Sequence, residues 1–374
     1  MESLLNGQQQ MQFGQIEQAW RRGWMRGIGM LSAGETVAEL PRWNERPQAV
    51  LYMRTQGIGD VILATGTLRA MALAQPSIAL DVLTTAQASP VLERNPYVRR
   101  VHVLPRTFLG ALEVARTIRR EKYDVVIDGK ITRGASFIRS PALTLASRAP
   151  YRIGVGGGNH PLVFNVCVDR FDRSTTHMVE GSAALATPFG VDLPATDLRP
   201  EIFLSEQETK SADEVWSASA GHAEIHRERW LINISAGAAP RRWPNDRWIA
   251  LSAHLRALSP EATIIVVGSV ADWSSVCDVA SRGGAVAAPT PRLRDVLALV
   301  GTSTHVVTAD TSITHAASAF RIPTVVLIQQ GLTQWLPWHT PHSAAYWSGS
   351  TIESLSIASA CDALDGLLQC SHAM

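Results

Sequence analysis

From residue 49 the chain alternates short apolar runs with longer stretches whose apolar residues recur at helical spacing, and it does so in two successive series. This feature narrows the fold more than any other. Strands separated by helices pair in parallel, and the helices then cover the faces of the sheet. In the first series "AVLYMR", "IALDVLT", "RRVHVLP", "YDVVID" and "YRIGV" are the expected strands, with helices at "TFLGALEVARTIRREK" and "SPALTLASRA". A polar stretch, "SEQETKSADEVWSASAGHAEIHRE", is expected as an exposed helix leading to the second series. There, strands are expected at "WLINIS", "ATIIVVG", "THVVTA" and "PTVVLI", and helices at "DRWIALSAHLRAL", "DWSSVCDVAS", "RLRDVLALVG" and "TSITHAASAF". The expected division is an extension over 1–48, an α/β domain over 49–205, a second over 206–350 and a helical segment over 351–374.

A hydrophobic content of 46% over 374 residues suffices for two cores. Formal net charge is +1, so no broad field favours nucleic acid. The four cysteines form no C-x-x-C pair and suit a reducing compartment. No apolar run approaches the roughly 20 residues of a membrane span, and the N-terminus lacks a signal-peptide core, so a cytoplasmic location is expected. In the extension, "QIEQAWRRGWMRGIGML" sets Ile16, Trp20, Trp24 and Ile28 at helical spacing, with Arg21, Arg22 and Arg26 on another face. A helix over 16–31 of this kind either docks on the first domain or lies peripherally on an anionic membrane surface.

Two such domains in tandem suggest a ligand in the cleft between them, at the carboxyl ends of the strands. Three stretches point there. In "RTQGIGDVILATGTLR", a strand runs into a turn with Gly57 and Gly59, and Asp60 stands where a phosphate would want positive charge. In "NISAGAAPRRWPNDRW", small residues that include Gly237 let a backbone approach a ligand, and Arg241 and Arg242 can grip a diphosphate. In "VVTADTSITHAASAF", a strand delivers Asp310. Thr311, Ser312 and Ile313 then open a helix whose first N–H groups can bind anionic oxygen, or be capped by Asp310 or Thr311.

Together these stretches resemble glycosyltransferase family 9, the heptosyltransferases of lipopolysaccharide assembly. The likeness runs from about residue 50 to about 340. Gly59-Asp60 matches the family's strand–GD–helix signature, and "NPYVRRVHVLP" and "YDVVIDGK" match the segments that follow. "AAPRRWPNDRW" is similar to its Lys-x-Trp-Pro loop, with Arg241 for lysine. "ADTSITHAASAFRIPTVVLI" is similar to its Asp-Thr-Gly-x-x-His pattern, with Ser312 for glycine. The resemblance implies a GT-B fold, two Rossmann-like domains whose parallel sheets face a central cleft. It implies an ADP-heptose donor on the second domain, and on the first an acceptor that is a lipopolysaccharide-type glycan, a protein or a small molecule. It makes Asp60 the general base, gives Asp310 the sugar hydroxyls, and places His315 and Asp272 at the donor. Displacement with inversion follows, with Arg241, Arg242 and the N–H groups of 311–313 stabilising the departing diphosphate.

No Asp-x-Asp occurs, so no cofactor and no metal are expected; His339 and His342 are expected in a Pro- and Trp-rich loop without a third ligand nearby. Two other classes fit less well. A dinucleotide-dependent oxidoreductase would need glycine where Ile62 stands, and an acid at the end of the second strand, whereas Asp81 is in its middle. A GT-B protein that binds nucleotide or glycan without catalysis is the other, and the presence of Asp60 together with the arginines weighs against it.

Overall fold

The computed structural model describes residues 48–131, 139–156, 163–169, 171–172, 174–220 and 228–372, together with Leu40 and Trp43. The amphipathic stretch over 16–31 lies outside the described residues, as do 132–138 and 157–162.

The first series builds a six-stranded parallel sheet. Its elements are β1 (Ala49–Met53), α1 (Ile58–Ala74), β2 (Ala79–Thr85), β3 (Arg100–Leu104), α2 (Phe108–Glu121), β4 (Val125–Asp128), α3 (Arg139–Ser147), β5 (Tyr151–Val155), β6 (Val166–Val168) and α4 (Met178–Ala183). Strand order is β3-β2-β1-β4-β5-β6. After α5 (Glu206–Ala220), the second series repeats the plan with β7 (Arg229–Asn233), α6 (Asn245–Leu258), β8 (Thr263–Val267), α7 (Trp273–Arg282), β9 (Val286–Ala287), α8 (Leu293–Gly301), β10 (His305–Ala309), α9 (Ser312–Phe320), β11 (Thr324–Gln329), β12 (His342–Trp347) and α10 (Ile357–His372). Its order, β12-β11-β10-β7-β8-β9, is the same winding read from the other edge, and it too is parallel throughout. The expected alternation is thus present in both halves. One local expectation is corrected: His342 is not in a loop but opens β12, pairing with Thr324 of β11. The aromatic pair Tyr346-Trp347 that closes "HSAAYW" suits an edge strand, although the Trp- and Pro-rich approach hides it.

Helix α1 is buried on nearly every side, from Val61 to Met71. A helix apolar all round must be enclosed. It packs on α4 within its own half and on α9 of the other, so Val61, Ile62 and Leu68 share one continuous apolar core with Ile313, Ala316 and Ala317. A second cluster, with Leu51, Leu83, Ile118 and Val126, fills the opposite face of the first sheet.

Each winding reverses direction once, between β1 and β4 and between β7 and β10. In an open parallel sheet that is where the loops at the carboxyl ends part and leave a crevice. The two reversal points position everything that follows.

Candidate functional site

At the first reversal point, Arg54 directly follows β1 and is 1% exposed. Its guanidinium donates from Nη2 to Asp60 Oδ1 at 2.7 Å, from Nε to the Asp60 carbonyl at 3.2 Å and from Nη1 to the carbonyl of Gly129, just past β4. It therefore ties the ends of β1 and β4 to the first turn of α1. Asp60 is the third residue of that helix, and its Oδ2 accepts from the backbone N–H of Gly57 at 3.1 Å. The carboxylate thus caps the helix, near the partial positive charge of its N-terminus. Its side chain keeps 20% of its surface in solvent. At the end of β4, Asp128 is buried, and burial pushes its carboxyl up despite the Ser140 hydroxyl and the Lys130 N–H that favour the charged form.

At the second reversal point, Asn233 at the end of β7 donates to Thr308 Oγ1 at 2.9 Å and to the Ser235 carbonyl at 3.2 Å, joining β7 to β10. Beyond β10, Thr311 is the cap of α9, its Oγ1 accepting from Ile313 N–H at 3.2 Å, while Ser312 is the first helical residue. Of the two expected cap residues it is Thr311, leaving Asp310 available for another partner. That partner is Arg241, whose Nη1 donates to the Asp310 carbonyl at 3.0 Å and to its Oδ2 at 3.1 Å. Burial raises the Asp310 pKa, and Arg241 offsets part of the rise. Gly237 lies beside the same guanidinium: a Cβ there would stand 3.8 Å from Arg241 Nη2.

Arg242 points elsewhere, to Asp272 Oδ1 at 3.1 Å. Asp272 Oδ2 accepts at 2.6 Å from both the Ser235 and Ser269 hydroxyls. Partial burial works against that charge, but the two hydroxyls and Arg242 outweigh it and hold the Asp272 pKa below its ordinary value. The paired arginines thus divide between two carboxylates. Each can reach a diphosphate only by sharing with, or leaving, its present partner.

The two halves meet where α1 and α9 begin. Gly59 lies so close to His315 that a Cβ there would stand 2.7 Å from its Cδ2 and 3.5 Å from Ser312 Cα. Only glycine fits, which accounts for the second glycine of the turn in terms the GD signature alone does not supply. His315 is buried, and its Nδ1 has no hydrogen-bond partner among the described residues. Burial, with His177 nearby, lowers its pKa to about 3, so the imidazole is neutral. Its ring faces that of Trp335 at 6.0 Å. His177 caps α4 through Nδ1, which accepts from Val179 N–H at 3.2 Å. Its Nε2–H donates to the Leu336 carbonyl of the second half at 2.8 Å.

Arg54, Asn233, Ser235 and His177 were not singled out from the sequence. Arg54 reads there as the polar end of a strand; Asp60 follows it closely, but Gly129 is 75 residues on. For His177 a signal existed, since "HMVE" carries the helix-start spacing that the structure turns into a reciprocal cap with Glu180.

Among the described residues, no group of three or more His, Cys, Asp or Glu side chains converges, and no helix is long and apolar enough to cross a membrane. His342 Nδ1 donates to the Thr340 carbonyl at 2.8 Å, and His339 stacks on Trp338.

Comparison with known proteins places these features in a family. Residues 111–346 match glycosyltransferase family 9 (heptosyltransferase). Lipopolysaccharide heptosyltransferase 2 of Salmonella typhimurium is 24% identical over 299 residues, 74% of this chain and 82% of its own. Among solved structures, the glycosyl transferase family 9 protein of Veillonella parvula superposes with a TM-score of 0.73 at 19% identity, covering 88% of this chain and 99% of that one. The ADP-heptose lps heptosyltransferase II of E. coli does so at 0.65 and 19%, over 87% of this chain and 99% of its own.

Proposed function

The chain belongs to glycosyltransferase family 9, the heptosyltransferase family, and on that premise we propose that it transfers a heptose from ADP-heptose to a hydroxyl of a lipopolysaccharide-type glycan, with inversion and without a metal ion. The observation that carries the proposal is the meeting of Gly59 with His315 and Ser312. It brings the first turn of α1, which bears Asp60, against the helix start that follows Asp310, and this supports a base and an anion-binding helix terminus acting in one crevice.

Each group then has a task. Asp60 takes the proton of the acceptor hydroxyl as it attacks, a contribution usually worth about 10²–10⁴ in rate. Its two oxygens each have one donor at present, from Arg54 and Gly57, and a carboxylate oxygen can accept more. On the far side of the anomeric carbon the diphosphate departs with growing negative charge. Arg241, Arg242 and the N–H groups of Thr311, Ser312 and Ile313 receive it, the arginines by sharing with or leaving Asp310 and Asp272 and the Ile313 N–H by sharing with the Thr311 hydroxyl. Attack from one side and departure on the other inverts the anomeric carbon. Asp310 holds sugar hydroxyls, Asp272 recognises the nucleoside, and the neutral His315 lies behind the donor, beside the α9 start. A metal has no assigned task because the chain lacks an Asp-x-Asp pair and already supplies two arginines for the diphosphate.

Soaking the purified protein with a panel of nucleotide-sugars, followed by native mass spectrometry, tests the proposal. ADP-heptose is expected to bind in preference to UDP- and GDP-sugars. Saturable binding of a different nucleotide-sugar alone would assign another donor, and binding of none would leave only the fold.

A further inference from the structure

Helix α2 covers the outer face of the first sheet, with Ala111, Val114, Ala115 and Ile118 turned inward onto it. A surface helix should show water a polar face. Instead its first turns expose Phe108 and Leu109, at 79% and 75%, with Leu112 at 38%. Its later turns expose Arg116, Arg119 and Arg120. At 3.6 residues per turn, Phe108, Leu112 and Arg119 fall within about 40° of one another, and Leu109, Arg116 and Arg120 within about 40° beside them. The apolar and basic groups therefore share one outward face. The carboxylates nearby are Glu113, which is exposed, and Glu121, which is paired with Arg100 at 2.8 Å.

We propose that this face of α2 docks on an anionic phospholipid bilayer, Phe108, Leu109 and Leu112 entering the acyl boundary while Arg116, Arg119 and Arg120 pair with lipid phosphates. Bare apolar contact would suit many partners, but three arginines on the same face select a surface dense in negative charge, and a helix lying flat in the interface uses both at once. The docking does not depend on the reaction. Its geometry nevertheless bears on the acceptor. In a parallel sheet every strand ends at the same edge, so the apolar first turn of α2, following β3, lies on the same edge as Asp60, following β1. A bilayer against α2 would lie beside the mouth of the crevice, within reach of a lipid-anchored glycan.

Co-sedimentation of the full chain with vesicles tests this, using phosphatidylcholine alone and phosphatidylcholine mixed with phosphatidylglycerol. Binding is expected to the mixed vesicles and to weaken as salt screens the charges. The pair Phe108→Ser and Leu109→Ser should lower partitioning by about tenfold or more. The set Arg116→Glu, Arg119→Glu and Arg120→Glu should abolish the preference for phosphatidylglycerol. All five side chains are on the surface, so thermal melts should not move. If one set does unfold the protein, the other still decides. Equal binding by the full chain and both variants would place the contact elsewhere and overturn the proposal. Failure of the full chain to bind would overturn it too. Self-association lost in the serine pair, with vesicles ignored, would give the face to a second copy instead.

Discussion

Arg54 and Asp60 form one hydrogen-bonded unit across the turn from β1 to α1, the guanidinium reaching both the side chain of Asp60, at 2.7 Å, and its backbone carbonyl, at 3.2 Å. The cation is 1% exposed and the carboxylate 20%. An isolated buried charge is costly, so Arg54 needs this partner. In return the fork holds Asp60 in a single orientation, with the rest of its acceptor capacity open to the crevice. The unit also grips Gly129 past β4, so the orientation of Asp60 depends on the strand reversal itself.

Substitution of Arg54 should separate these roles. Arg54→Met leaves the Asp60 carboxylate without its cation and is expected to destabilise the fold by about 3–5 kcal/mol, the usual cost of breaking a buried pair. Arg54→Lys keeps the charge but cannot span Asp60 and Gly129 together. It should stay folded in a denaturant titration while kcat falls and KM for donor holds. An Arg54→Lys enzyme with unchanged kcat would show that orientation of the base does not rest on this fork.

Arg241→Ala should weaken ADP binding by roughly 1.5–3 kcal/mol, the worth of a charge-assisted hydrogen bond to the diphosphate. The same substitution strips Asp310 of its cation. Burial already pushes that carboxyl up, and removing Arg241 removes what opposes the rise. Calorimetry with ADP at two pH values should therefore show both a weaker affinity and a larger pH dependence than in the unmodified protein. Unchanged affinity would shift the grip to Arg242, now held by Asp272.

Protonation of His315 should loosen the contact between the halves. Its pKa falls from 6.5 to about 3 on folding, because burial disfavours the imidazolium. Below pH 6.5 the unfolded chain takes up a proton that the folded one refuses. Stability from this group is thus complete above 6.5 and is lost as pH falls towards 3. The slope approaches about 1.4 kcal/mol per pH unit for one proton. His315→Phe keeps a ring against Gly59 and Trp335 and should flatten the fall in Tm across that window. Parallel curves for the two proteins would assign the acid sensitivity to other groups, His177 first among them, since burial lowers its pKa as well.

What was legible in the sequence follows from which interactions are local. The alternation of apolar runs and helical spacing is local and repeated, so the two parallel sheets could be read from it. Asp60, Asp310 and Arg241 stood out because each lies in a short stretch of distinctive chemistry. The residues that tie the strand ends and the two halves together did not. Arg54 meets Gly129 across 75 residues, Asn233 meets Thr308 across 75, and His177 meets Leu336 across 159. Such pairs exist only once the strands have taken their order, and no spacing along the chain encodes them. The division of Arg241 and Arg242 between two carboxylates is of this kind: adjacent residues suggest one joint grip, but the 3-10 turn over Ala239–Arg241 aims them apart. The loops "GKITRGASFIRS" and "GVGGGNHPLVF" fall mostly outside the described residues.

Chelation offers an independent check on the chemistry. With two arginines and a helix terminus to receive the diphosphate, turnover is expected to persist in excess EDTA. Activity lost on chelation and restored by Mg²⁺ would show that a divalent ion, and not the protein's cations alone, carries the leaving-group charge.

Asp60→Asn tests the mechanism most directly. Asparagine has the size of aspartate and caps a helix about as well, so Gly57 N–H should keep an acceptor. What it cannot do is take a proton. If Asp60 is the base, donor affinity should stay within a few fold, because Arg241, Arg242 and the α9 terminus are untouched, while turnover falls by about 10²–10⁴. The pairing with Arg54 adds a second effect, since neutralising Asp60 leaves a buried guanidinium without its counter-charge. A lower Tm is therefore expected alongside the lost turnover, and rates must be compared at a temperature where both proteins are folded. The two effects can be told apart by Asp60→Glu, which retains a proton acceptor and a partner for Arg54 but moves the carboxylate by one methylene. It should recover much of the stability and only part of the turnover. A folded Asp60→Asn protein with near-normal kcat would reduce Asp60 to a helix cap and an anchor for Arg54, and the base would have to be sought elsewhere in the crevice.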